Sequence, residues 1–296
     1  MSTNPLISTV PLIALNNGTT IPQLGFGTLG VPPDRTPSRS NTAQTAEIVG
    51  LALAVGYRHI DTAQMYGNEQ GVGEAIAASG IPREELYVTS KLGNGHHRPD
   101  DVRRSFDETL EKLGLEYLDL FLMHWPLPTL YDGDYVSTWK AMTELVAEGR
   151  LRTAGVSNFQ PAHLDRIIAE TGVVPAVNQI EVHPYFANSA ARAASTRHGL
   201  AVEAWSPLGQ GKLLDDQVIG RIAAAREKSN AQVILRWHIQ HGHIAIPKSM
   251  HRERMEENFK VFDFALSAQE VAAIDTLDKG EGGRIGPNPD TFDWIP

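Results

Sequence analysis

The chain contains no cysteine, so disulfides and thiolate metal sites are excluded. The absence fits a reducing compartment. A basic balance is also missing: 26 Lys and Arg stand against 35 Asp and Glu, a formal net charge of −9. Nonspecific nucleic-acid binding and docking on anionic membranes both need a basic surface, so neither partner is expected. A local basic pocket for a single phosphate is compatible with this balance. No apolar run approaches the length of a membrane span. Met1 to Val10 lacks the basic start and long apolar stretch of a secretory signal. Nor does any Gly-x-Gly-x-x-Gly open a helix after an apolar run: Gly25-Phe26-Gly27-Thr28-Leu29-Gly30 leads straight into Val31-Pro32-Pro33. Gly71-Val72-Gly73 lies within a helical pattern and lacks the third glycine, so a Rossmann fingerprint is absent. These exclusions leave a globular chain of 296 residues, expected in the cytoplasm. Its 42% hydrophobic residues are ample for a sizeable core.

Strand-like and helix-like segments alternate for almost the whole length. Candidate strands are Leu24–Gly27, Tyr57–Asp61, Tyr87–Ser90, Leu118–Met123, Thr153–Val156, Ala176–Gln179, Ala201–Trp205 and Ile244–Ile246. Amphipathic stretches between them include Thr42–Val55, Gly71–Ala78, Pro99–Leu113, Val136–Glu148, Pro161–Ile168, Ala190–His198 and Ala231–Gln240. Eight strands with intervening helices predict an α/β fold with a parallel sheet. Even spacing without a composition break favours a closed (β/α)8 TIM barrel, one domain over residues 1–296. Asn17-Gly18 between apolar positions signals an N-terminal β-hairpin, since both residues tolerate φ > 0. Such a hairpin would plug the barrel floor. Val31 to Asn41, with Pro32, Pro33 and Pro37, reads as a mobile loop. The tail 280–296 is rich in Gly and Pro yet carries Phe292 and Trp294, which predicts that it folds back over the active-site face.

Three successive apolar runs end in chemically capable residues. Tyr57–Asp61 leads to Asp61 and then Tyr66, Leu86–Ser90 leads to Lys91, and Leu118–Met123 leads to His124. In a parallel barrel the carboxyl ends of the strands share one rim, where catalytic residues collect. Tyrosine is a poor acid, with a reference pKa of about 10. A neighbouring ammonium stabilises the phenolate and lowers that value. Asp61 is suited to hold the Lys91 ammonium charged, Tyr66 to protonate an oxygen gaining negative charge, and His124 to orient that oxygen. The carbon partner then needs a hydride donor, which no side chain supplies. Taken singly, each residue has an ordinary reading: a helix cap, a solvated strand end, a packed loop aromatic, a satisfied core histidine. Together, on three consecutive strand ends, they favour proton transfer.

A second constellation lies on the later strand ends. Ser157-Asn158 and Gln179 offer hydroxyl and amide groups suited to a carboxamide. Trp205 offers a flat ring for stacking, although core packing explains it equally well in isolation. Pro247-Lys248-Ser249 precedes a helix start, and a lysine, a hydroxyl and free backbone N–H groups there make an anion site. Arg254 adds a planar cation for phosphate or adenine. An ordinary charged helix with i, i+4 pairs accounts for Arg252 and Glu256 but not for this cluster.

With both constellations in place, the chain resembles the aldo-keto reductase superfamily from about Leu15 to Leu277. The resemblance rests on Gly56-Tyr57-Arg58-His59-Ile60-Asp61-Thr62-Ala63 with Tyr66-Gly67-Asn68-Glu69, on Ser90-Lys91-Leu92 and on His124-Trp125-Pro126. It continues in Gly155-Val156-Ser157-Asn158-Phe159, Asn178-Gln179 and Ile246-Pro247-Lys248-Ser249. It implies a (β/α)8 barrel with an N-terminal hairpin that binds extended NADPH/NADP and reduces aldehydes or ketones. By the resemblance, Tyr66 is the general acid, Lys91 and Asp61 lower its pKa, and His124 orients the carbonyl. Ser157, Asn158 and Gln179 hold the nicotinamide carboxamide, with Trp205 on its ring. Thr28 joins the coenzyme contacts. Ser206, Leu208 and Gly209-Gln210-Gly211 line the pyrophosphate path, Lys248, Ser249 and Arg254 meet the 2′-phosphate, and Glu257 and Asn258 meet adenine. The stretch Glu203 to Gly211 is similar to the bacterial branch that includes 2,5-diketo-D-gluconic acid reductases. Leu29 stands where many members carry tryptophan, and the loop Val31 to Asn41 is longer than usual. Leu29, Trp125 and Trp294 are the substrate-pocket candidates, with Phe292 and the loop Leu127 to Tyr131 beside them. A monomer acting on a small carbonyl compound is expected.

Two other classes compete. A non-catalytic relative that binds cofactor or a protein partner would retain the same motifs, but the surface composition gives no positive sign of a partner. A metal hydrolase on the same barrel would use His238, His241 and His243, or His96-His97. No carboxylate pattern completes that geometry, so no metal is expected.

Overall fold

The computed structural model describes residues 10–34 and 38–296. The secretory-signal reading of the first residues therefore lies almost wholly outside the described residues, as does the centre of the 31–41 loop. Eight parallel strands form the barrel wall: β3 (Phe26–Gly27), β4 (His59–Asp61), β5 (Tyr87–Leu92), β6 (Leu118–Met123), β7 (Leu151–Ser157), β8 (Val177–Glu181), β9 (Ala201–Trp205) and β10 (Ile244–Ala245). Each pairs with its sequence neighbour. The wall closes where Leu24 bridges Ala245 in parallel, with Gly25 N donating to Ala245 O at 2.9 Å and Ala245 N to Gln23 O at 3.0 Å. Strand β5 and strand β6 are buried at every position, as a sheet covered on both faces requires.

The helices ring this wall: α1 (Arg39–Val55), α2 (Glu69–Ser79), α3 (Pro99–Leu113), α4 (Tyr135–Ala147), α5 (Pro161–Thr171), α6 (Ser189–Arg197), α7 (Gln217–Arg226), α8 (Asn230–Gln240), α9 (Arg252–Phe259) and α10 (Ala268–Asp275). Helix α9 packs on α1 and α8 and completes the ring. The main core lies between strands and helices, with Phe106, Phe121, Trp139 and Phe159 fully buried there and Trp237 in a second cluster beside α7 and α10. No helix among the described residues is long and apolar enough to cross a membrane.

The predicted hairpin forms from β1 (Leu12–Ala14) and β2 (Thr20–Pro22), with Ile13 opposite Ile21. Its Leu15 and Ile21 join Tyr87, Leu120 and Leu122 in a cluster at the barrel floor. Asn16 Nδ2 donates to Pro175 O at 2.9 Å and Asn17 Nδ2 to Thr153 Oγ1 at 3.1 Å, which fixes the turn beneath the barrel. Within this turn Gly18 takes the positive φ (84°) and Asn17 does not.

Two expectations change. The 31–41 loop is shorter at its end, because Ser38 Oγ accepts Asn41 N at 3.1 Å and starts α1 at Arg39. Its beginning is held rather than loose: the Asn68 side-chain amide donates to both Thr28 O and Val31 O at 2.9 Å. Helices α7 and α10 were not foreseen. Each begins at a side-chain cap, Asp216 accepting Val218 N at 2.8 Å and Ser267 forming a reciprocal box with Glu270.

Candidate active site

Asp61 ends β4, and its Oδ1 accepts the Lys91 ammonium from β5 at 2.6 Å. Lys91 also donates to Thr62 O at 2.9 Å. The two side chains are 2% and 0% exposed, so the pair is dry. Burial pulls the Lys91 pKa down, but Asp61, Tyr66 and Glu203 outweigh it and the net shift is upward. The ammonium therefore keeps its charge inside the barrel.

Tyr66 closes a short helical turn, Gln64–Tyr66, just beyond β4. Its ring lies with the Lys91 ammonium 4.8 Å from the centroid. His124 follows β6 and meets the Tyr66 ring edge-on, with centroids 5.7 Å apart. Burial, and then the nearby Lys91 and His97, hold His124 well below the ordinary imidazole range. It is a neutral ring, able to donate one N–H and accept at the other nitrogen. The buried His124 Nδ1 has no hydrogen-bond partner among the described residues. The four residues placed by sequence on three consecutive strand ends thus converge.

Gln179, on β8, lies across the barrel from β4. Its Nε2 donates to Asp61 Oδ2 at 2.8 Å and to Glu203 Oε2 at 3.0 Å. Ser157 Oγ donates to Gln179 O at 2.8 Å. Asn158, with φ 64°, directs Nδ2 to His124 O at 2.9 Å and accepts Trp205 Nε1 at Oδ1, 2.8 Å. These residues form one connected shelf beside His124. Thr28 is fully buried and its hydroxyl donates to Asp61 O at 2.9 Å.

The loop after β9 bends through left-handed backbone at Ser206, Gly209, Gln210 and Gly211. For Ser206 and Gln210 such geometry is costly, about 1–3 kcal/mol each, and is typical of ligand clamps. Beyond β10, Lys248 and Arg254 are exposed and make no ion pair among the described residues, whereas Arg252 pairs with Glu256 at 2.8 Å. Partial burial lowers the Lys248 pKa. Unpaired cations at a strand end, with the Ser249 hydroxyl beside them, are a donor set suited to phosphate. Asn258 is buried, and the Glu257 carboxylate is engaged by the Ser229 hydroxyl.

The tail crosses the ends of several strands. Ile285 N and Gly286 N both donate to the buried Glu181 carboxylate, at 2.6 and 2.9 Å. Phe292 packs on Trp125, ring centroids 4.2 Å apart, and Trp294 O accepts Asn94 Nδ2 at 2.8 Å. The Trp294 side chain and Leu29 are about half exposed, at 48% and 47%. Sequence reasoning did not single out Glu181, Glu203 or Asn94. An acidic residue inside an apolar run, as in Ala201-Val202-Glu203-Ala204-Trp205, was the available signal. Among the described residues no group of three or more His, Asp or Glu side chains is arranged to hold a metal ion.

The model of the Aldo/keto reductase family matches residues 23–279. An aldo-keto reductase of Mycolicibacterium smegmatis is 48% identical over 284 residues, covering 96% of this chain and 98% of that protein. Glyoxal reductase of Bacillus subtilis is 44% identical over 278 residues, covering 94% and 96%. Among solved structures, a Gox0644 mutant in complex with NADPH superposes with a TM-score of 0.88 at 42% identity, covering 96% of this chain and 99% of that one. The chain belongs to the aldo/keto reductase family and is an oxidoreductase.

Proposed function

We infer that this chain reduces small aldehydes, ketones or dicarbonyls to alcohols with NADPH, and that Tyr66 is the proton donor. The contact between Tyr66 and a buried, charge-paired Lys91 carries the reading. When bound, NADPH would supply the hydride that the carbonyl carbon needs. Tyr66 gives its hydroxyl proton to the carbonyl oxygen, and Lys91, held by Asp61, stabilises the phenolate left behind. Neutral His124 donates a hydrogen bond that orients the oxygen. Lys248, Ser249 and Arg254 are assigned to the 2′-phosphate, Glu257 and Asn258 to adenine, and the 206–211 loop to the pyrophosphate. Trp205 takes the nicotinamide ring, and Ser157, Asn158 and Gln179 its carboxamide. Because Gln179 Nε2 is committed to the two carboxyl groups, Oε1 is the atom left for that contact. Leu29, Trp125, Phe292 and Trp294 would form the substrate lip beneath the tail. A cytoplasmic monomer is part of the proposal.

Tyr66→Phe tests it. Carbonyl reduction, measured with a reactive dicarbonyl such as methylglyoxal, should fall about 10²–10⁴-fold while NADPH binding persists. Wild-type turnover by this variant would remove Tyr66 from the chemistry.

A further inference from the structure

Beneath the four-residue cluster lies a carboxyl group that the reaction does not touch. Glu203 sits in the middle of β9 and is fully buried. Its Oε2 takes one hydrogen of the Gln179 amide, and the other hydrogen of the same nitrogen goes to Asp61 Oδ2. The two carboxyl groups are thus held one amide nitrogen apart in a dry core. Only one of them has a cation, since Lys91 bonds to Asp61 Oδ1. Among the described residues Glu203 Oε1 has no hydrogen-bond partner, and the nearest basic atom is His59 Nε2 at 3.5 Å.

Among the described residues the surroundings offer no second positive charge. From β4 come Asp61 and His59, the latter held neutral by burial, with its pKa pushed down to about 3. From β5 come Lys91 and Tyr87, whose phenol burial pushes up. From β8 comes the uncharged Gln179, and β10 presents Ile244 and Ala245. Two carboxylates cannot both be ionised at this separation against one ammonium without a large desolvation cost. Asp61 has the ammonium, so Glu203 holds the proton. Burial first, and then the Asp61 charge, push its carboxyl up to about 8.

We propose that Glu203 is a positioning residue for proton transfer: as the neutral acid it leaves Lys91 with a single counter-charge and so keeps Tyr66 a competent acid, and its ionisation slows carbonyl reduction. The inference rests on the reading of Tyr66 as proton donor. The sign follows from charge alone. A second carboxylate near Lys91 offsets the ammonium's effect on the phenol, so the phenolate left after proton transfer is less stable. The proton delivered to the alcohol still comes from Tyr66 and is replaced from solvent; Glu203 neither donates nor accepts it.

Glu203→Gln, and Glu203→Met as a second variant that cannot ionise, test the proposal in two ways. In wild type, the reduction rate at saturating coenzyme should fall about tenfold between pH about 6.5 and about 9, and by about threefold in either variant, where the Tyr66 phenol alone titrates. Equal alkaline limbs in wild type and both variants would overturn it. The second measurement needs no coenzyme. A carboxyl raised from 4.5 to about 8 binds its proton in the folded state only, so wild-type stability falls as pH rises through that window. Urea unfolding of the variants should lack this component, and parallel pH dependences would also overturn the proposal. If Tyr66→Phe keeps the wild-type rate, the proton-donor reading fails by itself, while the unfolding comparison still decides the charge state of Glu203.

Discussion

Replacing Lys91 by methionine removes the only cation paired with Asp61 among the described residues. The side chain is 0% exposed and its partner 2%, at 2.6 Å, so water cannot take over the role of the ammonium. After the change the carboxylate retains Gln179 Nε2 as donor, and Thr62 O loses the ammonium at 2.9 Å. Removing one member of a buried pair costs about 3–5 kcal/mol, because the remaining charge is stranded. Against a total stability of about 5–15 kcal/mol, that is a fifth or more of the margin. Combining Lys91→Met with Asp61→Asn removes the stranded charge. The double variant should lie within about 2 kcal/mol of wild type, although inactive; with each single change costing about 3–5 kcal/mol, the coupling in the mutant cycle is about 4 kcal/mol or more. Urea unfolding at neutral pH, with midpoint and slope fitted together, measures all four corners. A single Lys91→Met variant within about 1 kcal/mol of wild type would refute the argument that this pair is dry and mutually dependent.

Two further outcomes concern ligand binding. Lys248→Ala should weaken NADPH by about 1.5–3 kcal/mol and leave NADH nearly unaffected, since the lost contact is charge-assisted; equal losses in fluorescence titrations with the two coenzymes would detach Lys248 from the 2′-phosphate. Gly286→Ala places a Cβ 2.5 Å from Trp205 Cη2 and 3.1 Å from Glu181 Oε2. The indole must shift, and NADPH affinity should drop about tenfold. Unchanged affinity together with an unchanged tryptophan spectrum would show that the tail does not set the position of Trp205.

Much of the barrel was legible because its strands are short apolar runs bounded by turn residues, and the polar side chain at each run's end is the signal of a functional rim. Asp61, Lys91 and His124 could be read this way, and Tyr66 followed from Asp61. The caps of α7 and α10 were present as Asp216 before Gln-Val-Ile and as Ser267-x-x-Glu270, but neither helix was read from them. Glu203 and Glu181 escaped for a different reason. Their meaning depends on what stands across the barrel or arrives from the far end of the chain: Asp61 and Gln179 for one, Ile285 and Gly286 for the other. Sequence patterns report what a residue's own strand does, not which distant group it meets. The 31–41 loop was read from its prolines, whereas Asn68, on another segment, fixes its first residues.

The strap formed by the last residues grips the barrel largely through peptide groups: two N–H donors on Glu181 and one carbonyl on Asn94. Peptide groups are common to every amino acid. Exposed side chains along the strap, such as Trp294 and Ile295, can therefore be exchanged, and selectivity for one carbonyl compound or another retuned, without disturbing the peptide contacts or the buried ion pair below it, whereas Gly283 and Gly286 leave no room for a Cβ. The fold separates what it reacts with from how it reacts.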